Sequence, residues 1–151
     1  MDAPTRGPYI RAALFAETII EEKNGVKTVV RIIDRVTATI QAADPPEAMP
    51  PMTRPLNALI SLKPGDARGR QNFALDMERP DGQRSNVTKG SLHFEGGPGH
   101  GADLLLRFSV TFELEGVYWF DFSIDGHLLT RMPFEIRYTR ISSAPPPGAL
   151  Q

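Results

Sequence analysis

Three histidines, His93, His100 and His127, are the residues of this chain best suited to hold a metal ion or move a proton near neutrality. A histidine metal site needs two or three imidazoles converging on one ion, usually with a carboxylate. The spacing contains no H-x-H and no HExxH. Each histidine also falls where solvent is expected: His93 on the outward face of a strand, His100 in a glycine loop, His127 after a hairpin turn. They read as exposed polar residues, and no metal or cofactor is implied. The loop Gly96–Gly101 (GGPGHG) has the glycine content of a phosphate cradle, where backbone N–H groups point at an anion and a helix N-terminus adds its dipole. Pro98 removes one donor, however. The run ADLLLRFSV that follows reads as a strand, and no Gly-Lys-Ser/Thr is present. The loop reads as a flexible connection.

Nucleophilic and acid–base chemistry fare no better. No G-x-S-x-G occurs, and Ser91, Ser109 and Ser123 take ordinary strand positions. A glycosidase pair needs two carboxylates across a cleft, whereas Glu78, Glu95, Glu113 and Asp121 read as solvated strand faces. Asp121 and Asp125 lack the run of alternating acids that a calcium loop uses. An enzyme would need groups joined only by the fold, with His127, Asp125 and Asp121 as candidates. Recognition chemistry is better represented. Trp119, the single tryptophan, alternates with Tyr118 and falls on the outward face of its strand. There it suits a protein or sugar partner if that face is open, and is core if a second layer covers it. Arg107, Arg131 and Arg137 point outward from strands expected to be sheet neighbours, beside Glu113, Asp121 and Glu135. A mixed-charge face with cross-strand pairs is the preferred reading of that group, and a cationic patch the other.

Composition bounds the setting of these residues. The chain has 151 residues, 40% of them hydrophobic, enough for one domain with a core. Seventeen basic and 18 acidic side chains give a net charge of -1, with no long-range pull toward nucleic acid or anionic lipid. There is no cysteine, which excludes disulfides and thiol chemistry and fits a reducing compartment. No run has the length of a membrane span or of a signal-peptide core, so a cytoplasmic location is expected.

The elements that must position the candidate residues are strands. Residues 116–138 (GVYWFDFSIDGHLLTRMPFEIRY) read as a hairpin turning at Asp125-Gly126, with Tyr118, Phe120, Phe122 and Ile124 on the buried face. Tyr9–Glu22 and the β-branched run from Val26 to Ile40 read as strands flanking an Asn24-Gly25 turn, the second bending or bulging near Asp34-Arg35. Residues 43–55, with five prolines, read as an extended loop. Leu56–Leu62, Gln71–Glu78, Ser85–Glu95 and Asp103–Glu115 complete the set, with a Pro80-Asp81-Gly82 turn between two of them. The expectation is an all-β antiparallel sandwich of about eight strands. It spans residues 9–141, between a flexible arm at 1–8 and a disordered proline-rich tail at 142–151.

Two resemblances rest on these residues. LEGVYWFDF resembles the tyrosine-corner segment of immunoglobulin-like sandwiches, with Gly116 and Tyr118 at the matching spacing and Phe120 where the usual cysteine would stand. Residues 16–36 (AETIIEEKNGVKTVVRIIDRV) together with 116–136 are similar to a family of small bacterial β-sandwich proteins of unknown function. That resemblance implies a compact sandwich and brings no catalytic residue, cofactor or substrate. The expected role is non-enzymatic: a scaffold or protein-interaction module whose partner is another protein or a second copy in a homo-oligomer. The alternative is a carbohydrate or small-ligand module using Trp119.

Overall fold

Alternation along Gly116–Ile124 yields one strand with a fully buried row: Tyr118, Phe120, Phe122 and Ile124 are at most 3% exposed. A computed structural model of the chain describes residues 7–97 and 99–143. Within them the chain forms β1 (Tyr9–Glu21), β2 (Lys27–Ile33), β3 (Arg35–Ala42), β4 (Met52–Lys63), β5 (Gly69–Glu78), β6 (Arg84–Phe94), β7 (Ala102–Phe112), β8 (Gly116–Ile124) and β9 (His127–Ser142). A four-stranded sheet in the order β2-β1-β4-β7 packs against a five-stranded sheet in the order β3-β9-β8-β5-β6. The core between them includes Phe15, Ile60, Leu75, Phe112, Phe120 and Phe134. Some of its rings meet edge to face, as with Phe15 and Phe120 at 5.0 Å between centroids, and others stack, as with Phe112 and Phe134 at 6.1 Å.

The topology is immunoglobulin-like, and the tyrosine corner is present. The Tyr118 hydroxyl donates to the Leu114 carbonyl at 2.6 Å and accepts the Leu114 N–H at 3.1 Å, pinning the β7–β8 corner to the start of β8. The β8–β9 turn takes positive φ at both Asp125 (48°) and Gly126 (81°), the geometry that the right-handed twist of a tight hairpin favours.

Several expectations need correction. The run 26–40 is not one bent strand. It changes sheets at Asp34, so β2 lies in one sheet and β3 in the other. As a result β3 runs parallel to β9, from Arg35 opposite Glu135 to Ala42 opposite Ser142, and the sandwich is not wholly antiparallel. With the split, nine strands form among the described residues, in keeping with the expected number of about eight. The Asn24-Gly25 hairpin forms, but only Gly25 has positive φ. Lys23 and Asn24 fill a turn closed by Gly25 N–H to the Glu22 carbonyl, and Gly25 takes the left-handed position after it. The proline-rich loop ends earlier than expected, because β4 starts at Met52 and contains Pro55. Pro55 faces Ser109 of β7, and pairing of β4 with β1 reaches only to Asn57, so its missing N–H interrupts no ladder with β1. β7 ends at Phe112, leaving Leu114 in the corner. Most of the expected arm and tail lie outside the described residues, while Ser142 belongs to β9.

The two outer faces differ. Beyond Ala16, β1 no longer pairs with β4 and continues with β2 alone. Arg31, with φ 58°, breaks the regular run of β2. The far half of this hairpin curls over the four-stranded sheet, where Ala16, Ile19 and Val29 pack with Leu14, Leu59 and Leu105. The hairpin tip at Asn24–Lys27 shares a cavity of about 300 Å³ with Leu59, Ser61 and Asp103. Among the described residues the outer face of the five-stranded sheet has no such cover, and Trp119 lies there.

Candidate interaction face

Strand registers assemble the site. The β5–β6 turn folds as its residues dictate: Pro80 and Asp81 at the centre, Gly82 at φ 87°, and Gly82 N–H donating to the Arg79 carbonyl. That turn sets Glu78 opposite Arg84. On its other side Glu78 is opposite Trp119, and Asp76 is opposite Asp121. The last hairpin then brings Arg131 opposite Asp121 and Pro133 opposite Trp119.

Asp121 is the pivot. Sequence alternation placed it on a solvated face, yet it is only 6% exposed. It stands directly across from another carboxylate, Asp76, an arrangement that is unfavourable unless compensated. Compensation comes from several sides. Arg131 donates to Asp121 Oδ1 through Nε at 2.7 Å and to Glu78 Oε2 through Nη2 at 2.9 Å. Arg84 donates to Asp121 Oδ2 at 3.0 Å and reaches Glu78 Oε1 at 3.5 Å. The Asn86 amide donates to Asp76 at 2.9 Å. Hydrogen bonding to Asp121 is the main reason both guanidiniums hold their protons more tightly than an ordinary arginine. Arg84 and Arg131 balance Asp121 and Glu78, while Asp76 is held by the neutral Asn86 amide. The outer edges of both guanidiniums remain open to solvent.

Trp119 is half-buried beside this network, with the Arg131 guanidinium 4.8 Å from its ring centroid. Among the described residues no second layer covers the ring, and a neighbouring arginine shields part of it. Next to the cluster, a groove of about 830 Å³ has a mixed lining, with Asn72, Asp76, Lys89 and Ser123 beside Phe73 and Ala74.

The other expected residues scatter. Arg137 shares β9 with Arg131 and pairs with Glu135 at 2.8 Å, a hydrogen bond that holds the Glu135 carboxyl below the usual carboxylate range. Arg107 does not join them. It is exposed on β7, in the other sheet, so the expected strand neighbourhood of the three arginines is wrong. Among the strands that carry these arginines, only the β8–β9 pairing had a local sequence signal, the Asp125-Gly126 turn. Glu113 likewise pairs with Arg79, at 3.5 Å, away from the face. His93, His100 and His127 are each exposed, and His100 Nδ1 lies 2.6 Å from the Gly96 carbonyl. Asp125 Oδ1 accepts the Asn72 N–H at 2.9 Å. Among the described residues, no three His, Cys, Asp or Glu side chains are grouped to hold a metal ion. Sequence reasoning missed Arg84. Its signal was the Arg79–Gln83 turn, which forces the residues flanking it to face each other.

Residues 11–137, which carry this cluster in full, match the profile of a family of unknown function, DUF6941. The chain belongs to that family. No curated protein matches this DUF6941 chain. Among solved structures it is similar to an alkylpurine DNA glycosylase, AlkC, of Pseudomonas fluorescens bound to DNA containing an abasic site analog. That similarity has 14% identity and a TM-score of 0.41, over 86% of this chain and 30% of the glycosylase. The DUF6941 chain thus spans less than a third of that protein's length. It is also similar to an immunoglobulin-like protein of Pseudomonas aeruginosa, with 14% identity and a TM-score of 0.40, over 89% of this chain and 100% of that one. Among the described residues, no helix is long and apolar enough to cross a membrane.

Proposed function

We propose that this DUF6941 chain is a non-enzymatic interaction module that binds a protein partner through the outer face of its five-stranded sheet, in a cytoplasmic setting. The observation that carries the reading is the Trp119–Arg131–Asp121 arrangement. Tryptophan and arginine dominate the energetics of protein interfaces, most of all where they are held rigid. Here a strand backbone fixes both, and Asp121 and Glu78 fix the Arg131 fork, so little side-chain freedom remains to be lost on binding. The charged groups of the cluster are engaged with one another, which suits positioning better than proton transfer.

The test is capture of partners by the full chain from its native host, comparing wild type with Trp119→Ala, Arg131→Ala and, on the opposite sheet, Arg107→Ala. Retention of the same partner by wild type and Arg107→Ala, with loss from the other two, supports the reading. Equal capture by all four overturns it. A glycan array with wild type and Trp119→Ala separates it from sugar binding, which predicts a signal that the variant loses.

A further inference from the structure

Among the described residues the two sheets have four free edges, β2, β7, β3 and β6, and three of them carry features that discourage pairing with another strand. β2 is interrupted by Arg31 at φ 58°. β6 carries Arg84 and Lys89 and a register shift where β5 passes from Leu75 to Asp76. β7 carries Asp103 and Arg107. Charges, bulges and irregular backbone are the usual means of keeping an edge unpaired. β3 differs. From Val36 to Ala42 (VTATIQA) it has no charge, no proline and no glycine, and it pairs with β9 at every position without a shift.

The hydrogen-bonding direction of β3 is fixed. The Asp34 and Ala42 carbonyls accept from Glu135 and Ser143, so the even-numbered residues direct their main-chain groups at β9. By strand alternation the odd-numbered residues, Arg35, Thr37, Thr39 and Gln41, direct theirs at the open edge, and all four are exposed. The sequence about Ala38 is nearly symmetric: Val36 and Ile40 outermost, Thr37 and Thr39 within, Ala38 at the centre.

We infer that β3 is a self-association strand that pairs antiparallel with β3 of a second copy, with Ala38 on the two-fold axis. This goes beyond the partner-binding reading, because it uses a strand edge and leaves the Trp119 face free. The occupant follows from the symmetry. A two-fold at Ala38 sets Thr37 opposite Thr39 of the second copy and Arg35 opposite its Gln41, both as hydrogen-bonded pairs using the free main-chain groups. Val36 meets Ile40 of the second copy, a favourable β-branched pair, and no like charges stand opposite. Ala38 meets itself at a non-hydrogen-bonded position, where side chains approach closely and its methyl group fits without crowding. The five-stranded sheet would then continue across the axis into its copy.

Sedimentation velocity of the full chain up to millimolar concentration, combined with Thr39→Pro, tests this. Thr39 N–H points to the open edge, so proline there removes a bond to the second copy and none to β9. A concentration-dependent dimer in wild type, weakened about tenfold or more in Thr39→Pro, is expected. Thr37→Lys provides a second variant that leaves the backbone unaltered. Because the chain has no native cysteine, Ala38→Cys adds a positive readout: mild oxidation should link two chains through residue 38. A wild type that stays monomeric throughout, or a dimer that neither edge variant weakens and Ala38→Cys does not cross-link, overturns the proposal. Loss of face-directed partner capture with the dimer intact would count against the partner reading alone.

Discussion

Arg131 donates through Nε to Asp121 at 2.7 Å while its guanidinium lies 4.8 Å from the Trp119 ring centroid, so one side chain couples the charge cluster to the aromatic platform. The coupling explains how a carboxylate opposite Asp76 comes to be buried, and it places a guanidinium against the tryptophan beside it.

Removing Asp121 therefore affects stability and Trp119 together. Asp121→Ala leaves Arg84 and Arg131 facing each other across an emptied position. A cost of about 1–3 kcal/mol is expected, below that of a wholly buried pair because both arginines reach solvent. Urea denaturation measures the loss. Trp119, the single tryptophan, reports the local change: its emission should shift to the red in Asp121→Ala and in Arg131→Ala as the guanidinium leaves the ring. An unchanged spectrum in both would show that Arg131 does not order the tryptophan.

Adjacent residues on β8 should differ sharply in cost. Phe120 is fully buried against Phe15 and Phe108, and Phe120→Ala is expected to cost about 3–5 kcal/mol. Trp119→Ala, on the half-buried outer side, should cost about 1–2 kcal/mol despite the larger side chain. Chemical denaturation of both variants checks the order, and the reverse order would invert the assignment of inner and outer faces.

How much of this was legible in the sequence follows from the range of the signals. Period-two alternation and Asp-Gly are local, and they specified the β8–β9 hairpin, its buried row and the side of Trp119. The tyrosine corner was visible in Gly116 and Tyr118, since its bonds span only four residues. The switch of sheets at Asp34 was not visible as such. A strand that changes sheets keeps its β-branched composition, and only the broken pattern at Asp34-Arg35 marked the place. The burial of Asp121 was illegible for a different reason: it depends on Arg84, 37 residues away in sequence, arriving through the pairing of β5 with β8. Arg107 was grouped with Arg131 because nothing local distinguishes strands of one sheet from those of the other.

Gly116 admits no side chain. Its φ is 131°, and a Cβ built there would lie 2.9 Å from Cγ of Pro80, in the turn before β6. Gly116→Ala combines backbone strain with a clash against a rigid ring, and a loss of about 2–4 kcal/mol is expected. Pro80→Ala in the same chain should recover part of it, since the ring is one of the two obstacles. A Gly116→Ala variant as stable as wild type would mean that the β7–β8 corner can move away from the turn.

Tyr118→Phe isolates the hydroxyl of the corner. The side chain is 1% exposed and its oxygen both donates to and accepts from Leu114, so the variant should lose about 1–2 kcal/mol while keeping the ring contact with Phe112. Burial raises the Tyr118 phenol above its ordinary value of 10.0, and the Leu114 hydrogen bond offsets part of that rise. A raised value means that the folded chain holds the proton more tightly than the unfolded chain. The contribution is thus complete below the unfolded value and lost as pH rises through the folded one. Wild-type stability should accordingly fall above about pH 10, and Tyr118→Phe should lack that component of the alkaline slope. Urea midpoints measured across the alkaline range for the two proteins provide the comparison; parallel curves would show that the corner phenol ionises without resistance from the fold.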